Sequence, residues 1–255
     1  MPLVFIKGEI ILTLGCIVPA RNESGHLVSV IEQIMSIEVI SEIIIIEGGS
    51  SDDTWEVAKQ IQKKYPNKVK INQQLGKGKF DAVLFGSKMC ISDLILIWDA
   101  DGTVPLNDTK KIIDLSLESG EPVIGDRLRG NIAKDAMRLA NWFGNWIFAI
   151  LWSPILNSKP TDMLCGTKIF PKSVFSELPE WLIKNDPYGD FSLVAFARAK
   201  GFRVKSCVVD YRARSYGVTN ISRWTGAVQL LKTTIKVYAG FTTYKLFKKS
   251  YFHNK

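Results

Sequence analysis

Two carboxylates one residue apart follow an apolar stretch in the first half of the chain. Asp99-Ala100-Asp101 comes directly after the apolar run at residues 94–98. Carboxylate oxygens at the end of a buried strand can hold a hard divalent cation and leave its other positions to water and a diphosphate. Such a cation would neutralise the charge that develops on a departing nucleoside diphosphate. The alternative is that these acids are solvated loop residues or cap a helix.

Two glycine-containing segments lie on the N-terminal side of these acids. Glu47-Gly48-Gly49 leads into Ser-Ser-Asp-Asp-Thr at residues 50–54, where Ser51 or Asp52 could cap a helix. A carboxylate beside a glycine turn could also accept hydrogen bonds from a base or a ribose. Gly76-Lys77-Gly78 would let the backbone approach a ligand, and its lysine offers a positive charge. Its spacing excludes a Walker A loop, which needs a Lys-Ser/Thr pair.

The elements that must position these residues alternate between strands and helices. Apolar runs predict buried strands at residues 12–19, 43–46, 69–72 and 94–98, and helical spacing predicts helices between them. This alternation predicts an α/β fold with a mostly parallel central sheet flanked by helices. Ligands bind beyond the carboxyl ends of the strands in such sheets. The polar segments at residues 19–23, 47–53 and 99–101 all fall at that edge.

Length and composition predict one large globular domain. The chain has 255 residues, of which 46% are apolar and 23% charged, and this composition excludes a disordered protein. Four cysteines without a CxxC pair predict reduced, mostly buried thiols in a cytosolic protein. Charged residues interrupt the apolar residues near the N-terminus, so no signal peptide is expected there.

One apolar segment in the second half needs separate consideration. Residues 142–156 are rich in aromatic side chains but number only 15, and they include Asn145, Ser153 and Pro154. A membrane-spanning helix needs about 20 apolar residues. We therefore predict a buried or interfacial helix, with core burial favoured, and no transmembrane segment.

The C-terminal part of the chain is strongly basic. The whole chain carries a formal charge of +8, and Asp210 is its only acid after residue 197. Lys232 and Lys236 lie beside a stripe of apolar residues with helical spacing. The members of that stripe are Trp224, Val228, Leu231, Ile235 and Tyr238. A basic amphipathic helix of this kind is typical of attachment to an anionic membrane surface, although a core-packed helix with a solvated basic face remains open. No nucleic-acid-binding module accompanies the charge, so we do not expect a nucleic-acid partner.

The order of these segments resembles the family 2 glycosyltransferases of the GT-A fold. The resemblance runs through residues 18–23, 47–54, 76–78 and 99–101. Later segments are similar to the branch that contains the dolichyl- and polyprenyl-phosphate sugar transferases. These later segments are residues 125–127, 161–166, 190–191 and 201–204. The resemblance covers roughly residues 12–225, and it implies a GT-A domain at residues 1–222 and a basic amphipathic helix or tail at residues 223–255.

The resemblance implies a donor site for a nucleotide sugar. Glu47 would lie against uridine or guanosine, at a position where the family commonly has aspartate. Asp99 and Asp101 would bind Mg²⁺ or Mn²⁺ on the diphosphate. The remaining donor-site positions implied by the resemblance are Pro19, Arg21, Glu23, Gly49, Asp52, Asp53, Gly76, Lys77 and Ala100.

The resemblance also implies residues near the reaction centre. Asp162 matches the acid of the family's Asp-x-x-Ser-Gly element, with Cys165 in place of serine, and Asp190 falls where the family often has an acid facing the acceptor. Either acid could serve a hydroxyl acceptor as a general base. Three arginines are candidates for phosphate contacts, because guanidinium groups pair bidentately with phosphate. They are Arg127, Arg212 and Arg214.

These observations favour an enzyme at the cytoplasmic face of a membrane. It would be a peripheral, metal-dependent, inverting transferase that moves a sugar from a UDP- or GDP-sugar to a polyprenyl phosphate or another lipid-linked acceptor. Two alternatives stay open: a transferase with a soluble acceptor, and a non-catalytic relative that only binds nucleotide sugars. The Gly-x-Gly-Thr-Arg segment of sugar nucleotidyltransferases is missing, which argues against that class.

Overall fold

The described part of the chain contains one large mixed sheet with helices on both faces. The computed structural model describes residues 4–6, 10–134, 136–137, 139–159, 161–213 and 228–242. Within these residues the sheet has seven strands in the order β5-β4-β3-β6-β8-β7-β9. Its strands are β3 Leu14–Ala20, β4 Ile40–Glu47, β5 Val69–Gln73, β6 Leu94–Ile97, β7 Val123–Asp126, β8 Lys168–Pro171 and β9 Lys205–Val208. Near the N-terminus, β1 Val4–Ile6 and β2 Ile10–Leu12 form a separate antiparallel pair.

Helices follow most of these strands. They are α1 Ser24–Met35, α2 Thr54–Lys64, α3 Lys79–Met89, α4 Leu106–Ser119, α5 Leu139–Leu156, α6 Lys172–Ser176, α7 Glu180–Asn185 and α8 Asp190–Ala199. A further helical segment covers residues 228–242. The strands and helices predicted in the N-terminal half are confirmed, with bounds that shift by a few residues. The predicted boundary between residues 222 and 223 lies outside the described residues.

The parallel half of the sheet is buried on both faces. β3 pairs in parallel with β4 and with β6, and β4 pairs in parallel with β5. Ile43, Ile44, Ile45 and Ile46 in β4 are all fully buried. Such continuous β-branched runs suit strands covered by helices on both sides. The pairing register sets Ala20 opposite Glu47, so the carboxyl ends of β3 and β4 lie level at one edge.

The second half of the sheet was not predicted from the sequence. β8 runs antiparallel to both of its neighbours, β6 and β7, and it places Lys168 opposite Ile97. β7 pairs in parallel with β9. Because β8 runs against β6, the residues that precede β8 arrive beside the residues that follow β6. This reversal brings residues 162–168 next to Asp99-Ala100-Asp101.

Each face of the sheet has its own apolar cluster. One cluster lies under α1, α2 and α4, and the other lies under α3, α5 and α8. In the second cluster Trp152 stacks on Phe191 with 5.0 Å between ring centroids. Phe191 directly follows Asp190, so the packing of α5 on α8 also fixes the start of α8 beside the site.

Helix α5 differs from its prediction in length and burial. It has 18 residues, long and apolar enough by length and composition to cross a bilayer, and 28% of it is buried. The expectation of core burial is correct for its C-terminal part, where Phe148 and Trp152 are buried, and wrong for the rest. The exposed apolar side chains of α5 are Leu139, Phe143, Trp146, Ile147, Ile150 and Leu151. A large exposed apolar face of this kind is typical of a surface that contacts another protein or a membrane.

The segment at residues 228–242 packs on the same cluster with a face that the sequence did not indicate. Val237 and Thr234 are buried, and the Trp152 indole Nε1–H donates to Thr234 Oγ1 at 3.4 Å. Tyr238 also packs there, with its ring 6.2 Å from the Trp152 ring. The other described members of the predicted stripe are exposed: Val228, Leu231 and Ile235. The described residues do not include Trp224 of this stripe. They also do not include three lysines of the basic C-terminal part: Lys245, Lys248 and Lys249.

Candidate active site

Two loops at the carboxyl edge of the parallel strands are tied to each other. Asp52 accepts hydrogen bonds from Ser24, through its amide at 3.2 Å and its hydroxyl at 2.8 Å, and from the Thr54 amide at 3.0 Å. Burial alone would raise the pKa of Asp52, but the hydrogen bonds from Thr54 and Ser24 lower it below its ordinary value. The Ser51 amide donates to Asn22 Oδ1 at 2.8 Å. Asp52 therefore fixes the shape of this loop pair, whereas Asp53 is exposed.

Glu47 is buried at the carboxyl end of β4. Its Oε1 accepts from the Ser50 amide at 2.5 Å and its Oε2 from the Gln73 side-chain amide at 3.0 Å. Gly49 follows with φ +70°, a conformation that glycine adopts without strain. The Glu47 carboxylate thus stabilises the turn at residues 47–50. Its bonds to Ser50 and Gln73 hold it beside the two loops.

The remaining donor-site positions of the first strand lie around the same edge. Pro19 is half-buried in β3, Arg21 is exposed and Glu23 is buried. The Glu23 amide donates to Thr54 Oγ1 at 2.9 Å, which joins the start of α1 to the start of α2. The predicted segments 19–23 and 47–54 are thus brought together.

Lys77 and Lys79, at the glycine segment before α3, have different surroundings. Gly76 and Lys77 are exposed, and the Gly76 amide donates to Asp81 Oδ2 at 3.0 Å. Gly78, with φ +90°, turns the chain into α3. Lys79 then points towards the Asp99-Ala100-Asp101 segment, where its Nζ lies 2.6 Å from Asp99 Oδ1.

The two acids that follow β6 differ in their surroundings. Asp99 has a side chain 31% exposed, whereas Asp101 is buried and its Oδ1 accepts from the Thr103 amide at 3.1 Å and hydroxyl at 2.8 Å. Gly166 lies against Asp99: a Cβ at position 166 would come within 1.7 Å of Asp99 Oδ2. Burial alone would lower the pKa of Lys79, but Asp99, Asp190 and Asp101 raise it above its ordinary value.

The chemistry of this donor set fits a divalent metal bound together with a substrate. Among the described residues no group of three or more His, Cys, Asp or Glu side chains is arranged to hold a metal. Mg²⁺ is commonly bound through one or two carboxylates, with substrate phosphates and water as its other ligands. Asp99 and Asp101 supply two such carboxylates, so these are the residues that would hold the ion.

A second acid–base pair lies beside the first. Lys168 is almost fully buried, and its Nζ lies 2.6 Å from Asp190 Oδ1 and 3.4 Å from the Met163 carbonyl oxygen. Asp186, also buried, accepts hydrogen bonds from the backbone amides of Gly189, Phe191 and Ser192. Burial and the nearby Asp190 raise the pKa of Asp186. Asp186 thus holds the first turn of α8, from which Asp190 extends.

Asp162 and Arg127 form a buried pair. Both carboxylate oxygens of Asp162 accept from the Arg127 guanidinium, at 2.5 Å from Nε and 3.1 Å from Nη2. Asp162 is fully buried, and the guanidinium also lies 4.9 Å from the ring centroid of Tyr211. In this geometry two nitrogens of Arg127 are directed to Asp162, so the pair joins the segment after β7 to the segment before β8.

The other two candidate arginines are placed differently. The Arg212 amide donates to the Thr103 carbonyl oxygen at 2.8 Å, two residues after Asp101. The exposed Arg212 lines a cavity of about 450 Å³ together with Lys111, Asp108 and Asp210. Arg214 lies outside the described residues.

Sequence reasoning missed three charged residues of this site. Lys79 and Lys168 pair with acids about 20 residues farther along the chain, and no local spacing indicates such pairs. A weak signal was available for Lys168, because it stands next to the apolar residues 169–170 of β8 and a buried lysine needs a partner. Asp186 gave no signal, since its role as a backbone anchor depends on the fold of residues 186–192.

Comparison with known proteins decides the family of this chain. The sequence matches glycosyl transferase family 2 over residues 16–178, which is more than half of its length. The chain belongs to this family. It is 28% identical to a dolichyl-phosphate β-glucosyltransferase, ALG5C, of Trichomonas vaginalis, over 96% of this chain and 77% of that protein. It is 27% identical to a UDP-N-acetylglucosamine–dolichyl-phosphate N-acetylglucosaminyltransferase of Methanococcus voltae, over 65% of this chain and 72% of that protein.

Solved structures show the fold of this family 2 glycosyltransferase. Glucosyl-3-phosphoglycerate synthase from Mycobacterium tuberculosis, in complex with Mn²⁺, UDP and glucosyl-3-phosphoglycerate, superposes with a TM-score of 0.61 at 16% identity. The match covers 91% of this chain and 80% of that one. Mannosyl-3-phosphoglycerate synthase from Rubrobacter xylanophilus superposes with a TM-score of 0.59 at 18% identity, over 94% and 75% of the two chains. The predicted GT-A fold and the predicted glycosyltransferase class are confirmed.

Proposed function

We propose that this glycosyltransferase transfers a sugar from a UDP- or GDP-sugar to a polyprenyl phosphate such as dolichyl phosphate, with Mg²⁺ or Mn²⁺ on Asp99 and Asp101. The observation that carries this proposal is that both candidate general bases are ion-paired. Asp190 pairs with Lys168 and Asp162 pairs with Arg127. Each of these carboxylates is thus held by a cationic partner, a structural role that needs no proton transfer. A phosphate acceptor is already ionised at neutral pH and requires no base.

The reaction then depends on positioning and on charge. An oxygen of the acceptor phosphate attacks the anomeric carbon, the bond from that carbon to the diphosphate oxygen breaks, and the nucleoside diphosphate leaves with the bonding electrons. In-line attack inverts the anomeric configuration. The metal, when bound, supplies charge stabilisation on the leaving diphosphate. Lys79, a partly exposed lysine of the site, would add positive charge where the donor diphosphate binds.

Two named relatives support a lipid phosphate as the acceptor. Both the Trichomonas and the Methanococcus protein carry dolichyl phosphate in their names. Their alignments with this chain extend over 96% and 65% of it. The sugar differs between these two relatives by name, and the name of the Trichomonas protein gives no donor base, so we keep both UDP- and GDP-sugars as candidates.

We also propose that this protein binds an anionic membrane surface from the cytoplasm, as a peripheral protein. The exposed apolar side chains of α5 and of residues 228–242 lie on two helices that contact each other through Trp152, Thr234 and Tyr238. Lys232 and Lys236 are exposed beside them. Apolar side chains next to lysines suit the boundary between headgroups and acyl chains. Trp152 stacks on Phe191, so this surface adjoins the helix that carries Asp190.

The first experiment is a screen of UDP- and GDP-sugars with Mg²⁺ or Mn²⁺, using polyprenyl phosphate as acceptor and following release of nucleoside diphosphate. We expect release that requires both the lipid phosphate and the metal. Asp101→Asn should reduce turnover at least about 100-fold, since removing a group that stabilises transition-state charge commonly costs about 2.7–4 kcal/mol. Release with a water-soluble acceptor alone would contradict the lipid acceptor and keep the transferase. Donor binding without any release would support the non-catalytic alternative.

A further inference from the structure

Lys79 contacts one of the two carboxylates proposed to bind a divalent metal. Its Nζ lies 2.6 Å from Asp99 Oδ1, and Asp99 is one of the two carboxylates available to the metal. Asp101 and Asp190 are close enough to attract the same ammonium group. Gly166 leaves room for this pair, because a Cβ there would come within 2.7 Å of Lys79 Nζ as well as striking Asp99.

The Lys79–Asp99 ion pair is more exposed to solvent than the two other ion pairs at the site. The side chains of Lys79 and Asp99 are 29% and 31% exposed. Those of Lys168 and Asp190 are 2% and 13% exposed, and those of Arg127 and Asp162 are 11% and 0%. Breaking a buried pair leaves an uncompensated charge away from water, whereas a partly exposed pair can separate at small cost. The Lys79–Asp99 pair is thus the one that a ligand could open.

Lys79 and a divalent cation would compete for the negative charge of Asp99. An ammonium group at 2.6 Å occupies the same oxygen that a metal would coordinate, and the two cations repel each other at such a distance. A nucleoside diphosphate changes this balance, because it offers the ammonium group several anionic oxygens. Lys79 begins α3 after the turn at Gly78, and its flexible side chain can follow a new partner without movement of the helix.

We propose that Lys79 competes with the divalent metal for Asp99, and that the donor diphosphate removes this competition by taking Lys79 as its own partner. Metal and nucleotide then bind cooperatively, and the protein without nucleotide keeps its acids neutralised by its own lysine. The inference rests on the proposed metal-dependent donor site and adds a residue that couples the two ligands. Lys79 is a positioning residue in this scheme, since it sets when Asp99 becomes available.

The test measures Mn²⁺ affinity of the full chain, by electron paramagnetic resonance of free Mn²⁺, with and without UDP or GDP. Lys79→Met should bind Mn²⁺ about ten-fold more tightly than wild type when nucleotide is absent, within the usual range of coupling between ligands. The enhancement of Mn²⁺ affinity by nucleotide should shrink by the same factor in Lys79→Met. Lys79→Arg keeps the charge and should restore the wild-type pattern.

Lys88→Met is the matched control. Lys88 is exposed on the same helix, α3, so this variant makes the same change of residue and of net charge away from Asp99. It should leave the Mn²⁺ affinity unchanged. Equal Mn²⁺ affinity of Lys79→Met and wild type would overturn the proposal, and so would weaker binding by Lys79→Met. The proposed function would fail by a different result, the absence of donor turnover by the wild-type protein.

Discussion

At the scale of single residues, Cys165 shows how closely the site is packed. It is fully buried, and a Cβ at Gly125 would come within 2.6 Å of its Sγ. Burial is the main cause that raises the pKa of the Cys165 thiol to about 12. Arg127 lowers this pKa and Asp162 raises it, so these two neighbours oppose each other. The thiol is therefore neutral at physiological pH and serves as a small apolar group under the Arg127–Asp162 pair.

The raised pKa of Cys165 predicts a loss of stability at high pH. An unfolded thiol ionises from about pH 8.5, whereas the folded one stays protonated until about pH 12, so the unfolded state binds fewer protons between these values. The free energy of unfolding should fall by up to about 1.4 kcal/mol per pH unit from this thiol. Urea unfolding at pH 8 and pH 10 measures it. Cys165→Ser should lose less stability over that interval, and an equal loss in both proteins would contradict the assignment.

The buried pair beside it predicts a large effect on stability. Arg127→Met leaves the fully buried Asp162 carboxylate without its partner and should cost about 3–5 kcal/mol in the free energy of unfolding. Lys79→Met removes a charge from a partly exposed pair and should cost no more than about 1 kcal/mol. Denaturant unfolding of both variants compares them directly. Similar losses in the free energy of unfolding would mean that the two ion pairs contribute equally to stability.

At the scale of elements, the antiparallel β8 assembles the site. The chain between β7 and β8, residues 127–167, includes α5. β8 then returns between β6 and β7, with Gly166 and Lys168 at the edge where β6 ends. Asp99 on one strand end and Lys168 on the next are thereby held on a rigid sheet. Site residues on such elements keep their relative positions when substrates bind.

Gly166 tests this arrangement. Gly166→Ala places a methyl group against Asp99 and Lys79 and should weaken Mn²⁺ and nucleotide binding at least about ten-fold, with a stability cost of about 1–3 kcal/mol from overpacking. Gly144→Ala in α5 is the control, because a Cβ there meets nothing within 4 Å. That change should stabilise the helix by up to about 1 kcal/mol. Unchanged Mn²⁺ affinity in Gly166→Ala would show that Asp99 takes no part in metal binding.

At the scale of the whole molecule, the two faces of the sheet have different surroundings. Helices α1, α2 and α4 cover one face. On the other face, α5 and residues 228–242 expose apolar side chains and lysines towards the outside. The start of α8, with Asp190, adjoins this second face. A lipid acceptor could reach the site from a membrane on that side without leaving it.

Vesicle sedimentation tests the proposed orientation of the protein on a membrane. Lys232→Glu with Lys236→Glu should weaken binding to vesicles that contain anionic lipid by more than about ten-fold, since each basic residue near such a surface contributes about 1 kcal/mol. Lys63→Glu with Lys110→Glu makes the same charge change on α2 and α4, over the other face, and should have little effect. Equal losses in both double variants would indicate attraction through net charge alone and contradict an oriented surface.

The sequence predicted the parallel half of the fold because its strands are long apolar runs followed by polar turns. β7, β8 and β9 have four residues each and include Gly125, Asp126, Lys168 and Lys205, so they carry no hydrophobic pattern of their own. Their pairing depends on neighbours supplied by the rest of the sheet. The face of residues 228–242 was misjudged for a similar reason, since Thr233 and Thr234 are buried there while apolar neighbours are exposed.

For the site, the sequence indicated the acids and the glycine turns but not what they contact. The order of the motifs placed residues 19–23, 47–54 and 99–101 at one edge, and the structure brings them together there. The pairs Lys79–Asp99 and Lys168–Asp190 join residues far apart in the chain, and charge type alone gives many possible partners. The commitment of Arg127 to Asp162 likewise became visible only with the backbone in place.

The reversed direction of β8 also divides the site between two parts of the chain. Everything proposed to hold the donor comes from the first 101 residues, while Asp162, Lys168, Asp190 and Arg212 come from the later half of the chain. The two sets meet where Gly166 lies against Asp99 and where Asp190 acts on Lys79. Exchanging the chain after α4 between relatives would therefore replace the residues proposed for the acceptor and keep those proposed for the donor. Such an exchange could change the acceptor while the proposed site for the activated sugar stays the same.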